Sequence, residues 1–343
     1  MRAFVVTGPH ESHIEERPIP QIKDPKDVLV AVKYVGICGT DMHIYDGSRA
    51  FKLPIVPGHE ISGEVVEAGA GVTTLKPGTP VVHRIEAPCG HCYACRHGKI
   101  NCCSNLGVTG ATRDGGFEEY IVAPESQWIP FEKERFSYKQ AAMVEPFTIG
   151  AQAVARAELC EGDQVLIHGA GPIGLVVLAT AKKHGAVCTV SEMIPERLEV
   201  AKKLGADHVL NPADPEWMNK LREYCGPEGP NVVFDAVGLP KVLGKSAEYC
   251  SNAARLVTLG FSTSPIEIPM NLITSKELSL LGSRNETFRT ESVVENFDQY
   301  LDDVDNMISN VFPLEESAIA FEKACAKDPS VFKILVKVSD TDI

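Results

Sequence analysis

Cys89, Cys92, Cys95 and Cys103 follow one another as C-x2-C-x2-C-x7-C. Four cysteines so spaced offer four thiolates to one ion, and an all-thiolate set closes the coordination sphere of a structural zinc. Cys102 adjoins Cys103 and leaves the fourth ligand open between them. A sparser set lies upstream. Cys38 opens the run Cys38-Gly39-Thr40-Asp41-Met42-His43, and His59 and Glu60 stand in Gly58-His59-Glu60. Sulfur, imidazole and carboxylate together suit a zinc that keeps one position open for chemistry. Glu145, in Val144-Glu145-Pro146-Phe147, offers a further carboxylate, either as fourth ligand or to hold a water at the metal. One closed and one open zinc site point to a metalloenzyme.

Gly169-Ala170-Gly171-Pro172-Ile173-Gly174 reads G-x-G-x-x-G. Such a run is informative only after a strand and before a helix. Here Gln164 to His168 reads as a buried strand, and Ile173 to His184 as an apolar helix. The first glycine permits a tight turn, the second lets backbone approach a pyrophosphate, and the third allows close helix–strand packing. Pro172 and Ile173 open the helix whose free N–H groups face the phosphates. Glu192 ends the next strand, where a carboxylate accepts hydrogen bonds from ribose hydroxyls and repels a 2′-phosphate, which favours NAD over NADP. Arg197 is placed to cover the adenine or ribose.

These residues need two scaffolds. The first 150 residues are rich in Gly, Pro and Val, with strand-like runs at Asp27–Val32 and Gly63–Gly69. From residue 151, strands at 164–168, 187–191, 232–234, 256–259 and 278–281 alternate with helices, among them Glu196–Leu204, which predicts a parallel sheet covered on both faces. After Arg284 the chain reads as helical and acidic, then ends in a strand over 333–338 that returns to the first module. The expected architecture is α/β, with a strand-rich domain over 1–150 and 285–343 and a doubly wound Rossmann domain over 151–284. A length of 343 residues suits two domains. The net charge of −13 argues against nucleic acid and anionic membrane surfaces as partners. The N-terminus shows no secretory pattern, and clustered cysteines suit metal ligation in a reducing cytoplasm. Cys160, Cys188, Cys225, Cys250 and Cys325 read as small buried apolar residues.

In this order the motifs resemble the zinc-dependent medium-chain alcohol and polyol dehydrogenases. That family carries C-G-[ST]-D-x-H, then G-H-E with Gly63, Gly69 and Val72 in matching places, then the four-cysteine lobe and the glycine loop. The resemblance covers essentially the whole chain. It implies a GroES-like catalytic domain, a structural-zinc lobe at about 88–104, two zinc ions per subunit, NAD, and a homotetramer or homodimer. It favours Cys103 over Cys102. Glu145-Pro146 looks like the sorbitol dehydrogenase branch. Asn101-Cys102-Cys103, Asp114-Gly115-Gly116-Phe117 and Gly282-Ser283-Arg284-Asn285 are similar to bacterial L-galactonate or L-gulonate 5-dehydrogenases, and the resemblance adds Ser283 and Arg284 to the cofactor contacts. Thr79-Pro80 departs from the family's usual Asp-Arg, in what reads as a turn.

The resemblance implies oxidation of a secondary alcohol to a ketone, with hydride passing to the nicotinamide. Thr40 would take the hydroxyl proton and His43 would carry it outward. Glu60 would ligate zinc or act as an exchange ligand. A polyhydroxylated small molecule is the expected substrate. If it is a sugar acid, its carboxylate calls for an arginine, with Arg49, Arg84 and Arg284 as candidates. A neutral polyol is the alternative, and threonine a weaker one.

Overall fold

The computed structural model describes residues 1–326 and 328–339. Lys327 and the tail 340–343, part of the expected 285–343 segment, lie outside the described residues. Contacts divide the chain into two units, Met1–Glu145 with Thr290–Ile343, and Pro146–Arg289. The divisions fall a few residues from 150/151 and 284/285. At the first of them, helix Val144–Arg156 runs unbroken across the change of scaffold.

In the second unit, Val165-Leu166-Ile167 and Val232-Val233-Phe234 are fully buried. Apolar runs of that kind suit strands covered on both faces. Six parallel strands lie side by side as His208–Leu210, Val187–Ser191, Gln164–His168, Val232–Asp235, Arg255–Thr258 and Ser279–Gly282. Numbered along the chain this is the doubly wound order 3-2-1-4-5-6, with the switch between Gln164–His168 and Val232–Asp235. His208–Leu210 is absent from the sequence pattern because three residues carry no periodicity.

In the first unit, Val28, Val30 and Val32 alternate into a core with Phe4, Phe117 and Phe321. The main sheet runs Ile308–Pro313, Lys333–Lys337, Asp27–Gly36, Glu60–Ala68, Pro80–His83 and Trp128–Pro130, with Tyr120–Pro124 also paired to Asp27–Gly36. The terminal strand pairs antiparallel with Asp27–Gly36.

Three local expectations are corrected. Ile308–Pro313 is a strand in a stretch read as helical, because its pairing to Lys333–Lys337 overrides local pattern. Pro80 begins a strand instead of lying in a turn. Cys160 is exposed, unlike Cys188, Cys225 and Cys250, because it sits in the connection before Gln164–His168. Among the described residues no helix is long and apolar enough to cross a membrane.

Candidate functional site

The ligand atoms of Cys89, Cys92, Cys95 and Cys103 all lie within 4.8 Å of one another. Cys92 and Cys95 are 3.5 Å apart at sulfur, and Cys89 and Cys95 4.0 Å. Zinc–sulfur bonds of about 2.3 Å in a tetrahedron require sulfurs about 3.8 Å apart, so the set fits a zinc. The N–H groups of Cys89 and Asn105 donate to Cys103 Sγ at 3.3 and 3.4 Å, which favours a thiolate. Cys102 is exposed and outside the group.

The second cluster is built by two segments. Cys38 is the N-cap of helix Gly39–Tyr45, while His59 and Glu60 lie at the start of strand Glu60–Ala68. The ligand atoms of Cys38, His59 and Glu60 also lie within 4.8 Å of one another. The fully buried Asp41 carboxylate ties the segments together. It accepts the N–H of Cys38 at 2.8 Å and of Gly58 at 2.9 Å, and lies 3.7 Å from His59 Nδ1. Burial disfavours charge on His59, but Asp41 and Cys38 outweigh it and hold its pKa well above the usual value. His59 Nδ1 is buried with no hydrogen bond. Nδ1 faces Asp41, and the convergence of thiol, imidazole and carboxylate donor atoms within 4.8 Å is a set that fits a zinc ion.

Glu60 is held from the far end of the chain. Lys333 Nζ donates to its two oxygens at 2.5 and 2.8 Å and to Ile37 O at 3.2 Å. Burial opposes charge on Lys333, but Glu60 outweighs it and raises its pKa. A Cβ on Gly36 would stand 1.9 Å from Glu60 Oε2, so only glycine leaves room for this carboxylate. Glu145 is buried in the first turn of Val144–Arg156 but is not one of the clustered ligands. Burial pushes its pKa up to about 8, with Glu60 and Glu86 adding to the rise and His59 and Lys333 opposing it. Thr40 and His43 are half-buried on the helix that Cys38 caps.

In the second unit the glycine run joins strand Gln164–His168 to helix Pro172–Lys183, with Gly171 as N-cap and proline in the first turn. Gly169 has φ +95°, where side chains are strained. A Cβ on Gly174 would lie 2.0 Å from Gly169 O, whereas one on Gly171 would meet nothing within 4 Å. The open side of Gly171 at a helix N-terminus is the cradle a pyrophosphate needs. Gly169, Gly171, Glu192 and Arg197 line a cavity of about 800 Å³ with Trp217, Lys241, Lys245 and Tyr249. Glu192 accepts the N–H groups of Ala170 (2.9 Å), Met193 (2.7 Å) and Ile194 (3.1 Å), which fixes the carboxylate at the rim. Ser283 and Arg284 follow the strand Ser279–Gly282 and do not line this cavity.

Comparison with known proteins decides the family. Residues 24–133 match the alcohol dehydrogenase GroES-like domain, and residues 172–304 the zinc-binding dehydrogenase domain. The Escherichia coli K12 starvation-sensing protein RspB is 37% identical over 95% of this chain and 98% of its own. The L-galactonate-5-dehydrogenase of the same strain is 36% identical over 84% of both chains. A crystal structure of an E. coli CFT073 alcohol dehydrogenase complexed with NADH superposes with a TM-score of 0.93 at 34% identity, over 98% of this chain and 99% of that one. The chain belongs to the zinc-dependent medium-chain alcohol dehydrogenases. It is an NAD-dependent zinc oxidoreductase with a GroES-like and a Rossmann fold.

Two residues that hold this dehydrogenase's ligand cluster in place gained no role from the sequence. Asp41 lies inside the first motif, but its bond to Gly58 is a tertiary contact that spacing does not show. Lys333 sits 273 residues from Glu60 in sequence, in an ordinary strand pattern. The cavity-lining Trp217, Lys241, Lys245 and Tyr249 likewise carry no local signal.

Proposed function

We propose that this dehydrogenase oxidises a secondary hydroxyl of a sugar acid, a hexonate such as L-galactonate or L-gulonate at C5, to the keto acid. The observation that carries this reading is the 36% identity to an L-galactonate-5-dehydrogenase over 84% of both chains. Cys38, His59, Glu60 and Glu145 are assigned to the catalytic zinc, and Cys89, Cys92, Cys95 and Cys103 to the structural zinc. A zinc ion in the first set supplies a Lewis acid that eases deprotonation of a hydroxyl. NAD held by Gly169, Gly171, Pro172, Ile173, Gly174, Glu192 and Arg197 supplies the hydride acceptor.

The chain's own residues do the rest. Thr40 accepts the hydroxyl proton and passes it to His43, whose imidazole suits proton carriage near neutral pH. Lys333 competes with a metal for Glu60, which makes this carboxylate an exchangeable ligand. Arg84 already pairs with Glu291 and donates to Ser126 O at 3.4 Å. Arg49, Arg84 and Arg284 are the candidates for the substrate carboxylate.

The unit Met1–Glu145 with Thr290–Ile343 takes the catalytic role, its lobe at about 88–104 braced by zinc, and Pro146–Arg289 binds the cofactor. The reading also includes a cytoplasmic homodimer or homotetramer. Self-association is assigned to the edge strand Ser279–Gly282, where Leu280 is 48% exposed and nearby Met270 80%. The test is a spectrophotometric screen of NAD reduction over hexonates, neutral polyols and threonine. Turnover of hexonates is expected, and activity confined to uncharged polyols overturns the substrate assignment.

A further inference from the structure

His43 lies in the last turn of helix Gly39–Tyr45, and its Nδ1 meets Ser48 Oγ at 2.6 Å. Gly47, at φ +69°, turns the chain so that Ser48 comes back onto Asp46. The Ser48 N–H donates to Asp46 Oδ1 at 2.8 Å, and its side chain bonds the same carboxylate. A slight burial works against charge on Asp46, but Ser48, His43 and His10 outweigh it and hold its carboxyl below the ordinary range. Imidazole, hydroxyl and carboxylate thus form one chain running from half-buried His43 to exposed Ser48.

This step rests on the relay above, in which His43 receives the substrate proton from Thr40. We propose that Ser48 and Asp46 are the outer half of that relay, with Asp46 orienting the Ser48 hydroxyl so that its oxygen accepts from Nδ1–H of His43. That contact selects the ring tautomer and leaves Nε2 as the atom that takes up the incoming proton. As Nε2 gains a proton, Nδ1 gives its own to Ser48 Oγ, and Ser48 gives its hydroxyl proton to Asp46 or to water. Ring and hydroxyl each gain one proton and lose one, and the net proton leaves on the carboxylate or in solvent. Other charged groups face this corner. His10 comes from the turn after strand Arg2–Gly8, and Glu322 from helix Ser317–Cys325. These two bond each other at 3.0 Å, and Tyr45 donates to Glu322 at 2.9 Å. Cys325 acts on Tyr45 from the same helix, and Arg49 follows Ser48 in the chain.

The test uses the full-length, zinc-loaded enzyme and its best substrate. For Asp46→Asn and Ser48→Ala, kcat and KM are measured from about pH 5 to about pH 10, in H2O and D2O. General acid–base steps typically contribute 100-fold or more, and an outer relay position part of that, so each variant should lose about ten-fold in kcat with KM for NAD unchanged. Asp46→Asn should also move the limb belonging to His43 to lower pH, because an adjacent anion favours the charged imidazole. Ser48→Thr should restore the rate. Wild-type rates and pH profiles in both outer variants overturn the inference. His43→Gln separates this from the relay itself. Full activity in His43→Gln removes the relay and this inference with it, whereas a slow His43→Gln beside unaffected outer variants removes only the inference.

Discussion

Lys333 and Glu60 form a buried ion pair beside the metal ligands, with side chains 3% and 1% exposed. Removing one partner of such a pair strands a buried charge and costs about 3–5 kcal/mol. Lys333→Met should therefore lower unfolding free energy in urea by about that much, and adding Glu60→Gln should recover most of it. If Lys333→Met is as stable as wild type, the pair contributes nothing to the fold. Glu118 is a buried carboxyl that also carries a raised pKa. Burial, reinforced by Asp114 and opposed by Arg17, pushes its pKa up to about 8. A carboxyl raised on folding stabilises the protein while neutral, so its contribution is present below the ordinary carboxyl pKa and is lost as pH rises through about 8. Glu118→Gln should match wild type in thermal stability near pH 4 and exceed it near pH 9, and a constant difference between those pH values would refute this. At this scale the sequence shows ligands better than their supports. Cys38, His59 and the four lobe cysteines stand in spaced motifs, whereas Asp41 and Lys333 act through contacts made only when distant strands meet.

Elements were legible where burial is two-sided. Gln164–His168 and Val187–Ser191 read as continuous apolar runs because both faces are covered, and their bounds in the structure coincide with those runs. The edge strand Ile308–Pro313 alternates half-buried and exposed residues, and the acidic helix Leu301–Met307 before it masks the change. The glycine turn is the element on which cofactor binding depends. Gly174→Ala would drive a methyl group against Gly169 O, and backbone cannot yield as a flexible side chain does. NADH affinity in a fluorescence titration should fall at least about ten-fold, a penalty of about 1.4 kcal/mol. Unchanged affinity would mean that the turn does not bind the pyrophosphate. The strand Ser279–Gly282 lies at the edge of its sheet and exposes Leu280. Exposed apolar edges template pairing with another chain, and a charge on them opposes it. Leu280→Lys should accordingly give a smaller species by light scattering, and an unchanged mass would place the assembly surface elsewhere.

Across the whole molecule the two cysteine clusters divide their labour by how much core surrounds each. Between Cys89 and Ser104 only Asn101 and Cys103 are buried, so no apolar core holds that lobe. Its order must come from the metal, and ligand loss there is loss of folding energy. Cys38 instead lies between the buried Ile37 and Ile44, on a helix packed into the core of the first unit, so its neighbourhood keeps its shape without the thiolate. Cys95→Ser should lose about one of two zincs by mass spectrometry, melt several degrees lower, and become sensitive to trypsin at the exposed Arg96 and Lys99. Cys38→Ser should also lose about one zinc, together with turnover, yet keep the wild-type melting temperature and trypsin resistance. Wild-type stability in Cys95→Ser would show that packing holds the lobe after all. Turnover in Cys38→Ser would move the chemistry away from the Cys38–His59–Glu60 cluster.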